Sequence, residues 1–242
     1  MAYVVTGANR GIGKAIMFGV AQQGKDIVAC VRNKSRYVDD FNAIAKECGV
    51  QIFVVECDLT DKGAIDTCWQ QIENLDVNVE GLINCAGVLS LKPVLFTEYE
   101  DVEYTFRVNY FAPFLMSKYA AEYMVRRGRG AIINISSMAS LGSQPGGAAY
   151  DASKAALNQL TKTMAQELAP FSIRVNAVAC GPVNTEMFVG MSDKEKGKLM
   201  KAIAMKRAAE PQEIARTVLF LLSEDSSYIT GQIIRVDGGA VI

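Results

Sequence analysis

Short apolar runs rich in β-branched residues recur along the chain at residues 3–6, 27–31, 52–55, 81–85, 131–135, 173–178 and 232–236. Their length and residue types predict seven strands. Between most of them the apolar positions take up a helical period, at residues 13–23, 64–75, 102–125, 152–168 and 212–222, which predicts helices. Strands that are apolar on both faces and alternate with helices describe an α/β fold, a doubly wound parallel sheet with helices on both faces. No Pro/Gly/Ser-rich linker, repeat or low-complexity tract interrupts the alternation, so residues 1–242 are read as one domain. The stretch 182–211 has no strand character and is rich in Met and Lys, which predicts a mobile flap around residues 186–210.

Composition narrows the chemistry. Lys plus Arg (25) nearly balance Asp plus Glu (26), for a net charge of −1, so no overall field favours nucleic acid or an anionic membrane. The first residues run directly into a strand pattern without a secretory leader, and no apolar run approaches the ~20 residues that a membrane-spanning helix needs. A cytoplasmic location is expected. The six cysteines (Cys30, Cys48, Cys57, Cys68, Cys85, Cys180) have no close pair in sequence and are read as reduced, mostly structural thiols. Histidine is absent, which removes Ser/His/Asp hydrolysis and the commonest nitrogen ligand for a metal, so no metal site is expected.

The first predicted strand runs into Thr6-Gly7-Ala8-Asn9-Arg10-Gly11-Ile12-Gly13 and then a helix. Such a turn needs glycine where φ is positive, where a pyrophosphate approaches and where helix meets strand. The helix N-terminus adds free N–H groups and partial positive charge for phosphate. The pattern points to a dinucleotide on a Rossmann-type domain, with the spacing Gly-x-x-x-Gly-x-Gly instead of Gly-x-Gly-x-x-Gly. A site for NAD is expected to carry Asp or Glu at the end of the second strand, yet that stretch reads Ala29-Cys30-Val31-Arg32-Asn33. Arg32, with Arg10 on the other side, suits a 2′-phosphate, and NADP(H) is expected in preference to NAD(H).

Downstream, Tyr150-Asp151-Ala152-Ser153-Lys154 opens a predicted helix, and positions i and i+4 project Tyr150 and Lys154 from one face. An ammonium beside a phenol lowers a pKa that is otherwise ~10 and fits the phenol for proton transfer. With Asp58-Leu59, Asn84-Cys85-Ala86-Gly87, Asn109, Ser137 and the closing Val236-Asp237-Gly238-Gly239, the chain resembles a classical short-chain dehydrogenase/reductase over nearly all its length. The resemblance implies that Tyr150 exchanges a proton with the substrate oxygen and that Ser137, 13 residues earlier, polarises that oxygen. It implies that Lys154 binds the nicotinamide ribose and lowers the Tyr150 pKa, and that Asn109 sits at a helix distortion and holds a water linked to Lys154. Asp58 and Leu59 would meet the adenine; Asn84, Ala86 and Gly87 would line the cofactor. Gly181, Val183 and Thr185 would hold the carboxamide, in a loop where Cys180 replaces the usual proline.

The pattern is closest to β-ketoacyl carrier-protein reductases, whose basic surface resembles Arg126, Arg127 and Arg129, although Phe171 replaces a further cation. The expected substrate is therefore a 3-oxoacyl thioester or a small ketone, sugar or steroid, and Met187, Phe188, Met191 and Met205 are read either as an apolar wall of its pocket or as a core or subunit contact. A catalytically silent NADP-binding sensor or scaffold is the alternative. The resemblance also implies a homotetramer or homodimer formed through helices 102–125 and 152–168.

Overall fold

The computed structural model describes residues 1–190 and 193–241; the side chains of Met187, Met191, Lys198 and residues 192–195 lie outside that description. The strands are β1 (Ala2–Thr6), β2 (Asp26–Val31), β3 (Ile52–Glu56), β4 (Val79–Asn84), β5 (Gly130–Ser137), β6 (Ile173–Cys180) and β7 (Ile233–Val236). They form one parallel sheet in the order β3-β2-β1-β4-β5-β6-β7. The order reverses between β1 and β4, so the loops leaving their C-terminal ends part and open a crevice.

Both faces of the sheet are covered because its residues are apolar on both. On one face α3 (Lys62–Glu73), α5 (Ala112–Val125) and α6 (Ala148–Leu168) bury Trp69, Met116, Leu157 and Met164 against Val4, Leu82 and Ile132. On the other, α1 (Gly11–Gln22), α2 (Val38–Cys48) and α9 (Pro211–Leu222) bury Ile16, Phe41 and Ile214 against Val5, Ile83 and Ile133. No helix among the described residues is long and apolar enough to cross a membrane.

The predicted helix 102–125 is interrupted. Helix α4 (Tyr99–Phe106) passes through a π-helical turn, Arg107–Phe111, before α5 begins. Pro113 in the first turn of α5 has no N–H to offer a carbonyl one turn back, and the backbone widens there. The fully buried Asn109 lies in this turn, as the resemblance implied. The described residues of the stretch 182–211 include two helices. These are α7 (Glu186–Val189) and α8 (Asp193–Ala202), and bridges at Val183–Ala209 and Ile203–Ala240 fasten the stretch to its neighbours.

Candidate active site

The crevice between β1 and β4 holds the glycine turn. Gly7 has φ +67°, and a Cβ there would stand 2.9 Å from the Cα of Ala86; at Gly13 it would stand 2.1 Å from the Gly7 carbonyl oxygen. Gly7 lets the turn close against the loop after β4, and Gly13 lets α1 close against the turn itself. No side chain caps the N-terminus of α1, whose first N–H groups border the cleft. Gly11, Ile12 and Asn9 line the same space, with the Asn9 amide donating to the Tyr37 hydroxyl at 3.0 Å.

At the other end of this cleft lie Arg32, after β2, and Asp58 and Leu59, after β3. Asp58 accepts from Thr60 N at 2.9 Å and from Thr60 Oγ1 at 2.7 Å. These bonds hold its carboxyl below the usual range, and the nearby Arg32 guanidinium adds to the effect. Among the described residues Arg32 has no ion-pair partner. Arg10 does: its Nη1 lies 2.6 Å from Glu186 Oε2 at the start of α7. The expected partnership of Arg10 with a 2′-phosphate is thus met by a competing carboxylate, which ties the glycine turn to the flap.

Asn84 departs from expectation. Its side chain is buried and turned into the core, where Nδ2 donates to Ser117 Oγ at 2.9 Å and to Asn134 Oδ1 at 2.8 Å. The cleft is lined instead by Cys85, Ala86 and Gly87. The alternation of β4 dictates this, because successive side chains leave opposite faces of a strand.

A second cleft continues from the first past Ile12, Gly87 and Thr185, and it brings together Ser137, Tyr150 and Lys154. Ser137 ends β5 and Tyr150 lies in the first turn of α6. Gly181 and Val183, after β6, and Thr185 complete the wall. Lys154 is buried, and its Nζ donates to the Ile135 carbonyl at 2.8 Å. Burial lowers its pKa to about 8, because the low-dielectric surroundings disfavour the charged form. Burial likewise pushes the Tyr150 phenol up to about 12, with the Ser137 hydroxyl beside it pulling in the opposite direction. The ammonium is turned toward the β5 carbonyl.

Asn109 Oδ1 accepts from Val88 N at 2.9 Å, and its Nδ2 donates to Val88 O at 3.0 Å and to Ser153 Oγ at 3.1 Å. Ser153 in turn donates to the Tyr150 carbonyl at 2.7 Å. A Cβ on Gly87 would lie 3.3 Å from Asn109 Oδ1 and 3.4 Å from Lys154 Nζ, so the bare Gly87 backbone occupies the space between them.

Cys85 and Cys180 also border the catalytic cleft, their thiols pushed up to about 12 by burial. Gln144, held by Asp151 through a 3.0 Å bond, forms part of the same wall. Both cysteines carried a sequence signal, each as a substitution within a motif, whereas Gln144 carried none. The side chains of Met187 and Met191 lie outside the described residues, and Met205 is exposed. Phe188 does reach the cleft.

Arg126, Arg127 and Arg129 lie away from the cleft. They sit where α5 leads into the start of β5, at the opposite end of the strands from the cleft. They are also occupied: Arg126 pairs with Glu73, Arg129 with Glu80, and Arg127 donates to Asn78 while lying over the Tyr123 ring.

A doubly wound sheet with an uncapped glycine turn opening into a cleft of tyrosine, serine and lysine belongs to the class of nicotinamide-dependent oxidoreductases. Comparison with known proteins makes the class specific. A family model described as enoyl-(acyl carrier protein) reductase matches residues 7–241. The 3-oxoacyl-(acyl-carrier-protein) reductase FabG of Aquifex aeolicus is 36% identical over 236 residues, covering 98% of this chain and 95% of the relative. A short-chain dehydrogenase/reductase from Serratia marcescens, solved as a double mutant, superposes with a TM-score of 0.92 at 32% identity, covering 98% of this chain and 96% of the other. A 7α-hydroxysteroid dehydrogenase solved with NADH and 7-oxo glycochenodeoxycholic acid gives a TM-score of 0.93 at 31% identity, covering 99% and 94%. The chain belongs to the short-chain dehydrogenase/reductase family, and it is an oxidoreductase acting on the CH–OH group.

Proposed function

We propose that this chain is an NADP(H)-dependent enzyme that interconverts a ketone and a secondary alcohol, with Tyr150 giving and taking the proton. The observation that carries the reading is the convergence of Tyr150, Ser137 and Lys154 on one cleft that opens into the glycine turn. When bound, the nicotinamide supplies or accepts the hydride. The Tyr150 hydroxyl, fully protonated at neutral pH with its pKa near 12, donates its proton to the substrate oxygen during reduction. Ser137 Oγ donates a hydrogen bond to the same oxygen and polarises the carbonyl. Lys154 Nζ has hydrogens beyond the one given to Ile135 and offers them to the ribose hydroxyls beside Gly87. Asn109 fixes the start of α6 through Ser153 and holds a water between Lys154 and solvent.

The nucleotide fits the cradle described above. The bare backbone of Gly7, Gly11 and Gly13 lines the cleft, the α1 N-terminus faces the pyrophosphate, and Gly181, Val183 and Thr185 border the nicotinamide end. Preference for NADP(H) is supported by Arg32, a cation with no ion-pair partner among the described residues that stands where a site for NAD would carry an acid.

The wall beyond Ser137 is formed by Leu89, Leu91, Met138, Phe188 and Leu199. This supports an uncharged ketone with apolar flanks. The opposite placement of Arg126, Arg127 and Arg129 argues against their receiving an acidic carrier protein. The chain is proposed to be a single nucleotide-binding domain, with residues 186–210 as the substrate flap, and to assemble as a homotetramer or homodimer. Exposed Tyr104, Phe111 and Phe114 on the α4–α5 outer face support the assembly.

The test is a panel of cyclic ketones, steroids, sugar acids and a 3-oxoacyl thioester, with the matching alcohols, assayed with NADPH and NADH. Turnover of apolar ketones with NADPH as the better cofactor is expected. Turnover of the thioester alone, or better turnover with NADH, would overturn the corresponding part of the proposal.

A further inference from the structure

Three cysteines far apart in sequence meet under the adenosine end of the nucleotide cleft. Cys30 is on β2, Cys57 follows β3 and Cys68 is on α3. The Cys30 and Cys68 sulfurs are 3.7 Å apart in the core, and the buried Cys57 belongs to the same apolar cluster, its Sγ approaching the Ala64 carbonyl at 3.9 Å. Cys30 and Cys57 form part of the cleft lining, two residues before Arg32 and one before Asp58. Cys68, with no exposed surface, is reached only through them. No step of the proposed hydride and proton transfer uses any of the three.

We propose that Cys30 and Cys68 form a reversible disulfide when hydrogen peroxide enters the nucleotide-free cleft, and that the oxidised protein binds nucleotide more weakly. Cys30, a residue of the cleft lining, attacks one peroxide oxygen with its sulfur; the O–O bond breaks, one water leaves and Cys30 becomes a sulfenic acid. The Cys68 sulfur then attacks the Cys30 sulfur. The S–S bond forms, the S–O bond breaks and a second water leaves, so two thiols and one peroxide give one disulfide and two waters.

Closing the bond brings the sulfurs from 3.7 Å to about 2.05 Å. The sheet strand β2 is held on both sides by β1 and β3, so α3 and the β3–α3 loop carrying Asp58 and Leu59 take up the movement. The floor of the adenosine site then shifts. Coupling is reciprocal: if the disulfide weakens nucleotide binding by some factor, bound nucleotide makes the dithiol harder to oxidise by the same factor.

The second half of the proposal rests on the nucleotide reading given above; the first half does not. Reduced protein is treated with hydrogen peroxide, with and without NADP⁺, and digested without reduction for mass spectrometry. A peptide pair joined through Cys30 and Cys68, two hydrogens lighter and separated by dithiothreitol, is expected. It should form more slowly with NADP⁺ present and be absent from a Cys68→Ala or a Cys30→Ala protein that melts cooperatively. Calorimetry on the oxidised protein should show NADP⁺ bound about 5- to 150-fold more weakly, the usual span for coupled sites. The bond should also quench the single tryptophan, Trp69, which adjoins Cys68.

Failure to find the linked peptide after the more accessible Cys48 has been oxidised overturns the proposal. So does a Cys57–Cys68 link in its place, or a Cys30–Cys68 link that leaves NADP⁺ affinity unchanged. If reduced protein binds no NADP⁺, the nucleotide reading fails and takes the coupling with it, while the peptide map still decides the thiol pair.

Discussion

Lys154 reaches across from α6 to donate to the Ile135 carbonyl at 2.8 Å, which anchors the catalytic helix to β5 two residues before Ser137. The ammonium is therefore a strut between the elements that carry the serine and the tyrosine, and the Tyr150 phenol is left in a site governed by burial.

Tyr150→Phe removes the proposed acid and keeps the ring. Reduction of a good ketone substrate should fall by about 10²- to 10⁴-fold, the range for a lost general acid, with NADPH affinity unchanged in a fluorescence titration. Because the phenol titrates near 12 in the free protein, its loss of a proton should not depress kcat/KM for ketone reduction below about pH 10. A fall centred near pH 7 that is absent from the variant would contradict this assignment.

The buried Lys154 also leaves a mark on stability. Its pKa is near 8 in the folded protein and ordinarily 10.5, so between those values the unfolded chain binds more protons and stability rises with pH. Below pH 8 the cost of burying the charge is complete; above pH 10.5 it is gone. Relative to Lys154→Met, wild type should gain about 3 kcal/mol across this window, from 1.36 kcal/mol per pH unit. Urea unfolding of the nucleotide-free proteins at pH 7.5 and pH 10.5 measures it.

Arg32 and Glu186 should act oppositely on NADP(H). Arg32→Ala loses a charge-assisted contact of about 1.5–3 kcal/mol, so the NADPH Kd should rise about 10- to 100-fold while NADH is little affected. Glu186→Gln releases Arg10, and an exposed ion pair of about 0.2–1 kcal/mol predicts NADPH binding up to about fivefold tighter. Equal effects on both nucleotides would show that neither cation reads the 2′-phosphate.

Gly13→Ala tests the contact between helix α1 and the glycine turn. The added methyl would stand 2.1 Å from the Gly7 carbonyl oxygen, a backbone atom with little freedom to move. Overpacking of this kind costs about 1–3 kcal/mol. Denaturant midpoints should fall accordingly, and NADPH affinity should drop with them, because the turn that displaces is the proposed phosphate cradle.

The sequence by itself determined what depends on neighbours along the chain. The seven strands and the main helices follow from where apolar side chains recur, the glycine turn from its position between β1 and α1, and the shared face of Tyr150 and Lys154 from helical spacing. Even the distortion at Asn109 was legible by resemblance, and Pro113 supplies its local cause. Tertiary structure decided everything that needs a distant partner or a dielectric. It paired Arg10 with Glu186, 176 residues away, and turned Asn84 from the cleft into the core. It also set Arg126, Arg127 and Arg129 at the far end of the strands and gathered Cys30, Cys57 and Cys68 under one cleft. The Tyr150 pKa rose because the energy of an ionised phenol depends on how much water the packed structure leaves around it, which no spacing along the chain records.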